Sequence, residues 1–87
     1  MNYMNQNKKL IWAFHSMKKG IYDNDYYFYD DGSILHHYDR TLSKLDIEEY
    51  VSASEIPDSE KEKIISRCEE ECSLGLVNWV KTILQMG

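Results

Sequence analysis

The sequence predicts an α+β domain: a small antiparallel sheet of three or four strands, then two or three C-terminal α-helices packed on one face of it. Three observations support this fold class. Aromatic and β-branched segments dominate the chain as far as residue 39, Asp31-Gly32 separates two of them, and apolar residues recur at helical spacing from residue 58 onwards. We expect one domain over residues 1–87, with a loose N-terminus at 1–7, a β-meander at 8–39 and a mainly helical part at 44–87.

Size and charge narrow the classes of function. The chain has 87 residues, of which 43% are hydrophobic and 13% aromatic, enough for one compact core. The net charge is −5, and the four lysines of the first 20 residues precede a long acidic stretch. Because nucleic-acid binding needs a concentrated basic surface, direct binding to nucleic acid is not expected.

Membrane insertion is not expected either. The apolar run LIWAF, residues 10–14, is too short to span a bilayer, and the small-residue cleavage site of a secretory signal is missing. Two cysteines in a chain of this length do not make a disulfide framework. We therefore expect a cytoplasmic protein.

The first predicted strand is KLIWAFHS, which is short, rich in aromatic residues and followed by the turn-like segment MKKG. Leu10, Trp12 and Phe14 would share one face of this strand because side chains alternate. The opposite face also carries apolar residues, so the strand could be covered on both sides.

A β-hairpin is predicted at Asp31-Gly32, because this pair supplies the positive φ that a two-residue turn needs. Such a turn places Tyr29 opposite Ile34 and Tyr27 opposite His36. One face would then hold Tyr27, Tyr29, Ile34, His36 and Tyr38, and the other Tyr26, Phe28, Leu35 and His37. The face with Phe28 and Leu35 is the more apolar and the better candidate for the core.

Three segments follow the hairpin. In residues 41–56, Asp46 with Glu49 resembles a capping box and favours a helix, although IEEYVSA also fits a fourth strand. The segment PDSEKEKIISRCEEEC predicts a helix capped at Asp58 or Ser59, with Ser59 and Glu62 as a capping box. The segment SLGLVNWVKTILQMG predicts a last helix, capped by Ser73 and carrying one apolar stripe.

No catalytic, cofactor-binding or metal-binding residues are predicted. Cys68 and Cys72 lie four residues apart and could share zinc, but both belong to one apolar helix stripe with Ile64 or Ile65, and further ligands at suitable spacing are lacking. The acidic run 69–71 would raise the pKa of a nearby thiol rather than activate it. The other paired carboxylates are typical of solvated surfaces. A metal- or thiol-dependent enzyme is therefore the remote alternative.

The leading functional hypothesis is a small, acidic, non-enzymatic protein that docks on a protein partner with a basic surface. Exposed tyrosines on a strand face supply large, rigid contact area, as at interface hot spots. In size and charge alone, the chain is similar to inhibitors such as anti-CRISPR proteins and to toxin-neutralising immunity proteins. The predicted partner-binding residues are Tyr27, Tyr29, Ile34, His36, Tyr38, Asp25, Asp30 and Asp31.

Two alternatives stay open. The same tyrosines, or an unpaired edge strand, would also suit a self-associating structural or accessory domain that forms a homodimer. Alternatively, helices could cover the tyrosines and make these rings part of the core.

Overall fold

The computed structural model describes residues 8–86, so the loose N-terminus predicted for residues 1–7 lies outside the described part. Five strands in one antiparallel sheet are followed by two α-helices, which confirms the α+β class with one strand more than the maximum expected. In chain order the elements are β1 (Leu10–Phe14), β2 (Met17–Lys18), β3 (Tyr22–Tyr29), β4 (Ile34–Tyr38), β5 (Ile47–Val51), a 3-10 turn (Ala53–Glu55), α1 (Asp58–Glu71) and α2 (Leu74–Ile83).

The long strand β3 organises the sheet. The strand order is β1–β3–β4–β5, and the short strand β2 pairs with the first residues of β3. β1 and β2 lie along the same side of β3, separated only by His15 and Ser16. A hydrogen bond of 2.9 Å from the Asn24 N–H to the Ser16 carbonyl bridges this break.

β1 begins with a β-bulge. Leu10 pairs with Tyr29 whereas Trp12 pairs with Phe28, so β1 has one residue more than β3 between these two pairs. An additional residue reverses the side on which the preceding side chain lies. The sequence predicted Leu10 on the same face as Trp12 and Phe14, but the bulge places it on the opposite face.

The hairpin between β3 and β4 forms at the predicted place, but its loop has three residues rather than two. Tyr29 and Ser33 close the loop, with the Tyr29 N–H donating to the Ser33 carbonyl at 3.0 Å. The Gly32 N–H donates back to the Tyr29 carbonyl at 2.9 Å, and Gly32 has φ +87. This geometry is a turn followed by a left-handed residue, the usual form of a three-residue hairpin loop.

The additional loop residue shifts the hairpin register by one position from the predicted one. Phe28 pairs with Ile34, Tyr27 with Leu35 and Tyr26 with His36. Because side chains alternate, a shift of one residue exchanges the two faces of β4. The predicted grouping of Ile34, His36 and Tyr38 with Tyr27 and Tyr29 was therefore wrong.

Two faces of the sheet can now be defined. The buried face carries Trp12, Phe14, Asn24, Tyr26, Phe28, Ile34, His36 and Tyr38. The tyrosine face carries Leu10, Ala13, Asp25, Tyr27, Tyr29, Leu35 and His37. His36 and His37 lie on opposite faces, as the sequence predicted, and Phe28 is fully buried, as predicted, whereas Leu35 lies among the tyrosines.

A column of stacked rings lines the buried face. Tyr26 and His36 stack with centroids 4.3 Å apart, and His36 stacks on Tyr38 at 4.5 Å. His36 Nε2 also lies 2.8 Å from Oδ1 of the buried Asn24. Further along the same face, Trp12 stacks on Phe28 at 5.8 Å. His36 is thus held by packing and by one hydrogen bond within the sheet.

The segment 41–56, for which the sequence favoured a helix, contains strand β5 instead. Asp46 has φ +56, outside the helical range, and its N–H donates to the Asp39 carboxylate at 2.9 Å. A capping box does form, but at Ser52, whose N–H donates to the Glu55 carboxylate at 2.7 Å in the 3-10 turn. Helical structure therefore starts only after β5.

Alternation along β5 assigns its side chains to the two faces. The Tyr38 hydroxyl donates to the Glu49 carboxylate at 3.3 Å, so Glu49 lies on the side of the buried face. Glu48 and Tyr50 lie close enough to Tyr29 to act electrostatically on its hydroxyl. Glu48 and Tyr50 therefore extend the tyrosine face.

The two helices follow their predicted positions, with one difference at a cap. Ser73 caps α2 as predicted, since its hydroxyl accepts the Leu76 N–H at 3.3 Å. α1 begins at Asp58 with Pro57 at the N-cap position, so neither Asp58 nor Ser59 is the cap that the sequence predicted, and the capping box of Ser59 is not formed. The helices contact each other, and their buried apolar residues are Ile64, Ile65, Cys68, Val77 and Val80.

Contacts along the chain are concentrated in two compact units, one ending at Tyr50 and one beginning at Val51. The first contains the sheet and the second contains the 3-10 turn and both helices. A single domain over residues 1–87 with helices packed on one face of the sheet stays a prediction.

Over residues 8–86, neither helix has the length and apolar character that crossing a bilayer requires.

Replacement of two glycines should change stability in opposite directions. A Cβ atom would meet nothing within 4 Å at Gly32 or at Gly75, so the backbone alone decides the outcome. Gly32→Ala should destabilise the protein by about 1–2 kcal/mol because alanine disfavours positive φ. Gly75→Ala should stabilise it by about 0.5–1 kcal/mol because Gly75 lies in α2. Urea unfolding measures both changes, and a neutral Gly32→Ala variant would contradict the left-handed turn.

The register can be tested with one substitution on each face. Phe28→Ala should lower the free energy of unfolding by about 3–5 kcal/mol, because Phe28 is 0% exposed. Leu35→Ala should cost only about 1–2 kcal/mol, because Leu35 is half-buried on the tyrosine face. The two-residue turn would instead place both side chains in the core. Equal, large losses in the two variants would therefore contradict the register described here.

Candidate functional site

The tyrosine face forms a continuous surface across three neighbouring strands. Tyr27 and Tyr29 come from β3, Leu35 is the cross-strand partner of Tyr27 in β4, and Tyr50 lies on β5. Tyr27, Tyr29 and Leu35 are half-buried, and Tyr50 is 46% exposed. Regular pleating alone brings these side chains to one side, so β-strand backbone supports the whole surface.

Burial raises the pKa values of the two central phenols. It raises the pKa of Tyr27, and the charges of Asp25 and Glu48 raise this pKa further. Burial also raises the pKa of Tyr29, with contributions from Tyr50 and Glu48 that Lys8 partly opposes. Both hydroxyls therefore stay protonated at neutral pH and can donate hydrogen bonds to acceptors on another molecule.

Lys8 connects the hairpin loop to the edge of the tyrosine face. Its ammonium lies 4.1 Å from the centroid of the Tyr50 ring and 3.5 Å from the Asp31 carboxylate. It also donates to the Ser33 hydroxyl at 3.2 Å. Cation–π contact and ion pairing together hold this lysine over the end of the sheet.

The two aspartates of the hairpin loop are engaged within the protein. Asp31 accepts from the hydroxyl and the N–H of Ser33, and these hydrogen bonds, together with Lys8, lower the pKa of its carboxyl. The Asp30 carboxylate accepts the Lys9 N–H at 3.1 Å. Both carboxylates thus help to close the loop, and Lys8 offsets part of their charge.

A second group of charged side chains lies at the opposite end of the tyrosine face. We call it the histidine–aspartate cluster, and it consists of His15, Asp23, Asp25, His37, Asp39 and Asp46. His37 is central: its Nδ1 lies 3.1 Å from Oδ2 of Asp25 and its Nε2 lies 3.0 Å from Oδ1 of Asp46. His15 Nδ1 lies 3.4 Å from the other oxygen of Asp25.

The position of His37 between two carboxylates favours its protonated form. Burial lowers the pKa of His37, but hydrogen bonds to Asp46 and Asp25 and the charges of both groups outweigh this effect. The pKa of His37 therefore lies above its ordinary value. The Asp25 carboxylate also accepts the Ser16 N–H at 3.3 Å, so charge-assisted and backbone hydrogen bonds both stabilise it.

Asp39 fixes the backbone of this cluster. One of its oxygens accepts the Asp23 N–H at 2.9 Å and the other accepts the Asp46 N–H at 2.9 Å. The same two bonds, first that from Asp46 and then that from Asp23, lower the pKa of Asp39. A single carboxylate thus joins the start of β3 to the residue that precedes β5.

The structure separates the eight residues that were predicted to bind a partner. Tyr27, Tyr29 and Asp25 share the tyrosine face, while Asp30 and Asp31 lie in the hairpin loop. The other three lie on the buried face: Ile34 is 3% exposed, and His36 and Tyr38 belong to the ring column. Whether any of the eight contacts a partner stays a prediction.

Six residues of the tyrosine face were missing from the predicted site: Leu10, Ala13, Leu35, His37, Glu48 and Tyr50. Leu35 and His37 were assigned to the core face because a two-residue turn was assumed. Tyr50 was missed because its segment was interpreted as a helix. The apolar residues of IEEYV have helical spacing rather than alternation, so only their β-forming type indicated a strand.

The thiol of Cys68 is not activated. Cys68 is fully buried in α1, and burial followed by the contact with Cys72 raises the pKa of its thiol to about 12. Glu71 and Glu69 raise this pKa further, in the direction that the sequence predicted. A nucleophilic cysteine needs the opposite environment.

Comparison of the chain with known protein families, with curated proteins and with solved structures gave no match. Function is therefore inferred from the geometry of the chain's own residues.

The environment of the two thiols predicts unequal reactivity. In the native protein at pH 8, a disulfide reagent should modify the half-buried Cys72 and leave Cys68 protected until the chain unfolds. The measurement is the number of thiols that react before and after urea is added. In a Cys72→Ser variant, no thiol should react rapidly in the native state. Fast modification of Cys68 in that variant would contradict this assignment.

Proposed function

We propose that this protein is a non-enzymatic binding protein that docks on the basic surface of a protein partner through its tyrosine face. The observation that carries the proposal is the alignment of Tyr27, Tyr29 and Tyr50 beside Leu35 on one side of a regular sheet. Compared with the sequence-based surface, the proposed one keeps Tyr27 and Tyr29, adds Leu35 and Tyr50, and omits the residues of the buried face and the loop aspartates Asp30 and Asp31. Asp25 is only 7% exposed and contributes charge rather than contact area.

The composition of this face supports docking. Tyrosine combines a large apolar ring with a polar hydroxyl and has few rotatable bonds, so little conformational entropy is lost when it is held at an interface. The central rings are already partly immobilised by their neighbours, since Tyr27 contacts His15 edge-on with centroids 5.6 Å apart. A surface that is ordered before binding loses less entropy when a partner arrives.

The charge around the face supports a basic partner. The chain carries a net charge of −5, and the carboxylates of Asp25, Asp46 and Glu48 lie at the end and side of the tyrosine face. Complementary charge on the partner would accelerate association and orient the two proteins. Nucleic acid is a poor candidate, because its phosphates would face these carboxylates.

We further propose that docking is inhibitory and takes place in the cytoplasm. Tyrosines flanked by carboxylates would complement a basic groove on the partner. Inhibitors such as anti-CRISPR proteins and immunity proteins are similar to this chain in size and charge. The cysteines Cys68 and Cys72 are both free thiols, which is compatible with a reducing compartment.

Self-association is the second candidate. β1 lies at one end of the strand order, and its residues Leu10 and Ile11 are 47% and 40% exposed. An edge strand with exposed apolar side chains can pair with the same strand of a second copy. Lys8 and Lys9 directly precede β1, and charged lysines beside an edge strand disfavour such pairing, so docking on a different protein is preferred.

Affinity capture from the native host tests the docking proposal. The immobilised proteins are the wild type, the double variant Tyr27→Ala/Tyr29→Ala and, as a matched control on the buried face, Tyr38→Ala. A protein bound by the wild type and by the control should be lost from the double variant, with affinity at least about 30-fold weaker when that protein is purified. Its association rate should also fall as salt is added.

Two results would contradict this proposal. Unchanged capture by the folded double variant would exclude the tyrosine face, and loss of binding only in Tyr38→Ala would assign the interface to the other face. Light scattering over a range of concentrations tests self-association. A stable dimer that the Ile11→Lys substitution disrupts would favour self-association through β1.

A further inference from the structure

We propose that Asp23, Asp25 and His37 form a binding site for a divalent first-row transition metal ion of the zinc type. One ligand atom from each of these residues lies within 4.8 Å of the other two. The site contains none of the docking tyrosines, although its Asp25 also contributes charge to the proposed docking surface. No metal-binding residue was predicted from the sequence.

The sheet brings these three ligands together. Asp23 and Asp25 are two positions apart in β3, so their side chains lie on the same face. His37 in β4 is the cross-strand partner of Asp25. All three ligands are therefore held by paired strands, which position side chains more rigidly than loops do.

The distance between two of the ligands suits coordination directly. Around a tetrahedral zinc ion with bonds of about 2.0–2.1 Å, ligand atoms lie roughly 3.3–3.4 Å from one another. His37 Nδ1 and Asp25 Oδ2 are 3.1 Å apart, close to this separation. The Asp23 carboxylate lies within 4.8 Å of ligand atoms of both residues and would move toward the ion as the third ligand.

Asp46 supplies the second interaction that metal-binding histidines usually have. A ligating imidazole donates the N–H of its other nitrogen to a carboxylate, which fixes its tautomer and orientation. His37 Nε2 lies 3.0 Å from Asp46 Oδ1, so Nδ1 would be the coordinating atom. When the ion binds, it takes the place of the proton between Nδ1 and Asp25, and this proton passes to solvent.

The surroundings hold the ligands in position. Asp39 binds the backbone N–H groups of Asp23 and Asp46, and the Ser16 N–H binds the oxygen of Asp25 that does not face His37. Asp25 is 7% exposed, so a cation at this carboxylate would be largely shielded from water. The two ligand carboxylates would balance the charge of a divalent ion.

The donor atoms select the class of ion. Calcium and magnesium prefer sites made of oxygen alone, whereas imidazole nitrogen with carboxylate oxygen suits zinc, cobalt, nickel and related ions. The imidazole of His15, 3.4 Å from Asp25, adds a second nitrogen next to the same carboxylate. Both imidazoles strengthen the preference for a transition metal.

Metal titration of the full chain, after treatment with a chelator, tests the proposal. Calorimetry with Zn²⁺ should give one ion bound per chain, and Co²⁺ should develop visible d–d absorption when it binds. Mg²⁺ and Ca²⁺ should bind far more weakly than Zn²⁺. Absence of Zn²⁺ and Co²⁺ binding to the folded wild-type chain would overturn the proposal and identify His37 as an ion-pair partner of Asp25 and Asp46 only.

Variants distinguish this site from general adsorption to an acidic surface. His37→Gln and Asp23→Asn should each weaken Zn²⁺ binding by more than about 100-fold, and Asp46→Asn by about 10–100-fold. The matched control is Asp30→Asn/Asp31→Asn, which removes two carboxylates from the hairpin loop and should leave the affinity within about twofold. Asp23 is less buried than Asp25, so Asp23→Asn should fold. This variant tests the metal site if His37→Gln does not fold.

Two further outcomes would overturn the assignment. Equal Zn²⁺ affinity in the wild type and the folded Asp23→Asn variant would show that these residues do not bind the ion. A loss of affinity in the hairpin control as large as that in Asp23→Asn would show non-specific binding to surface carboxylates. The docking experiment uses other residues, so failure of one proposal leaves the other open to its own test.

Discussion

The pairing of Tyr29 with Ser33 across a three-residue loop is the constraint on which the rest of the sheet depends. Gly32 makes this pairing accessible because it adopts φ +87 with little strain. Once these ends of the strands are aligned, each residue of β4 has a fixed partner in β3. The hairpin therefore determines which side chains share a face with each tyrosine, and a change of one residue in the loop would reverse that assignment.

This register separates two adjacent histidines into different environments. His36 stacks between Tyr26 and Tyr38 on the buried face, where packing and an amide contact hold it. His37 lies on the opposite face between the carboxylates of Asp25 and Asp46. Consecutive residues of a strand point to opposite sides of the sheet. His36 therefore stacks between aromatic rings, whereas the neighbouring His37 interacts with carboxylates.

Charge and apolar surface are arranged along one direction of the tyrosine face. The end near the hairpin has Lys8 over Tyr50, whereas the other end has the histidine–aspartate cluster. In the proposed docking, the two ends of the face would present different groups to the partner, which favours one orientation over its reverse. Positive charge in the cluster, whether the proton of His37 or a bound cation, would also reduce the repulsion among its aspartates and support the link between β3 and β5.

The sequence by itself determined the elements formed by local preferences. Runs of aromatic and aliphatic β-forming residues defined β3 and β4, Asp31-Gly32 located the turn, and Ser73 marked the start of α2, because these signals act over a few neighbouring residues. Tertiary structure decided the hairpin register and the strand at β5. Two- and three-residue turns both accept an Asp-Gly pair, and β5 is a strand because it lies beside β4 in the sheet, a pairing that local spacing does not reveal. The buried ring column, the tyrosine face and the aspartates around His37 all result from these longer-range choices, since cross-strand contacts form only after the register is set.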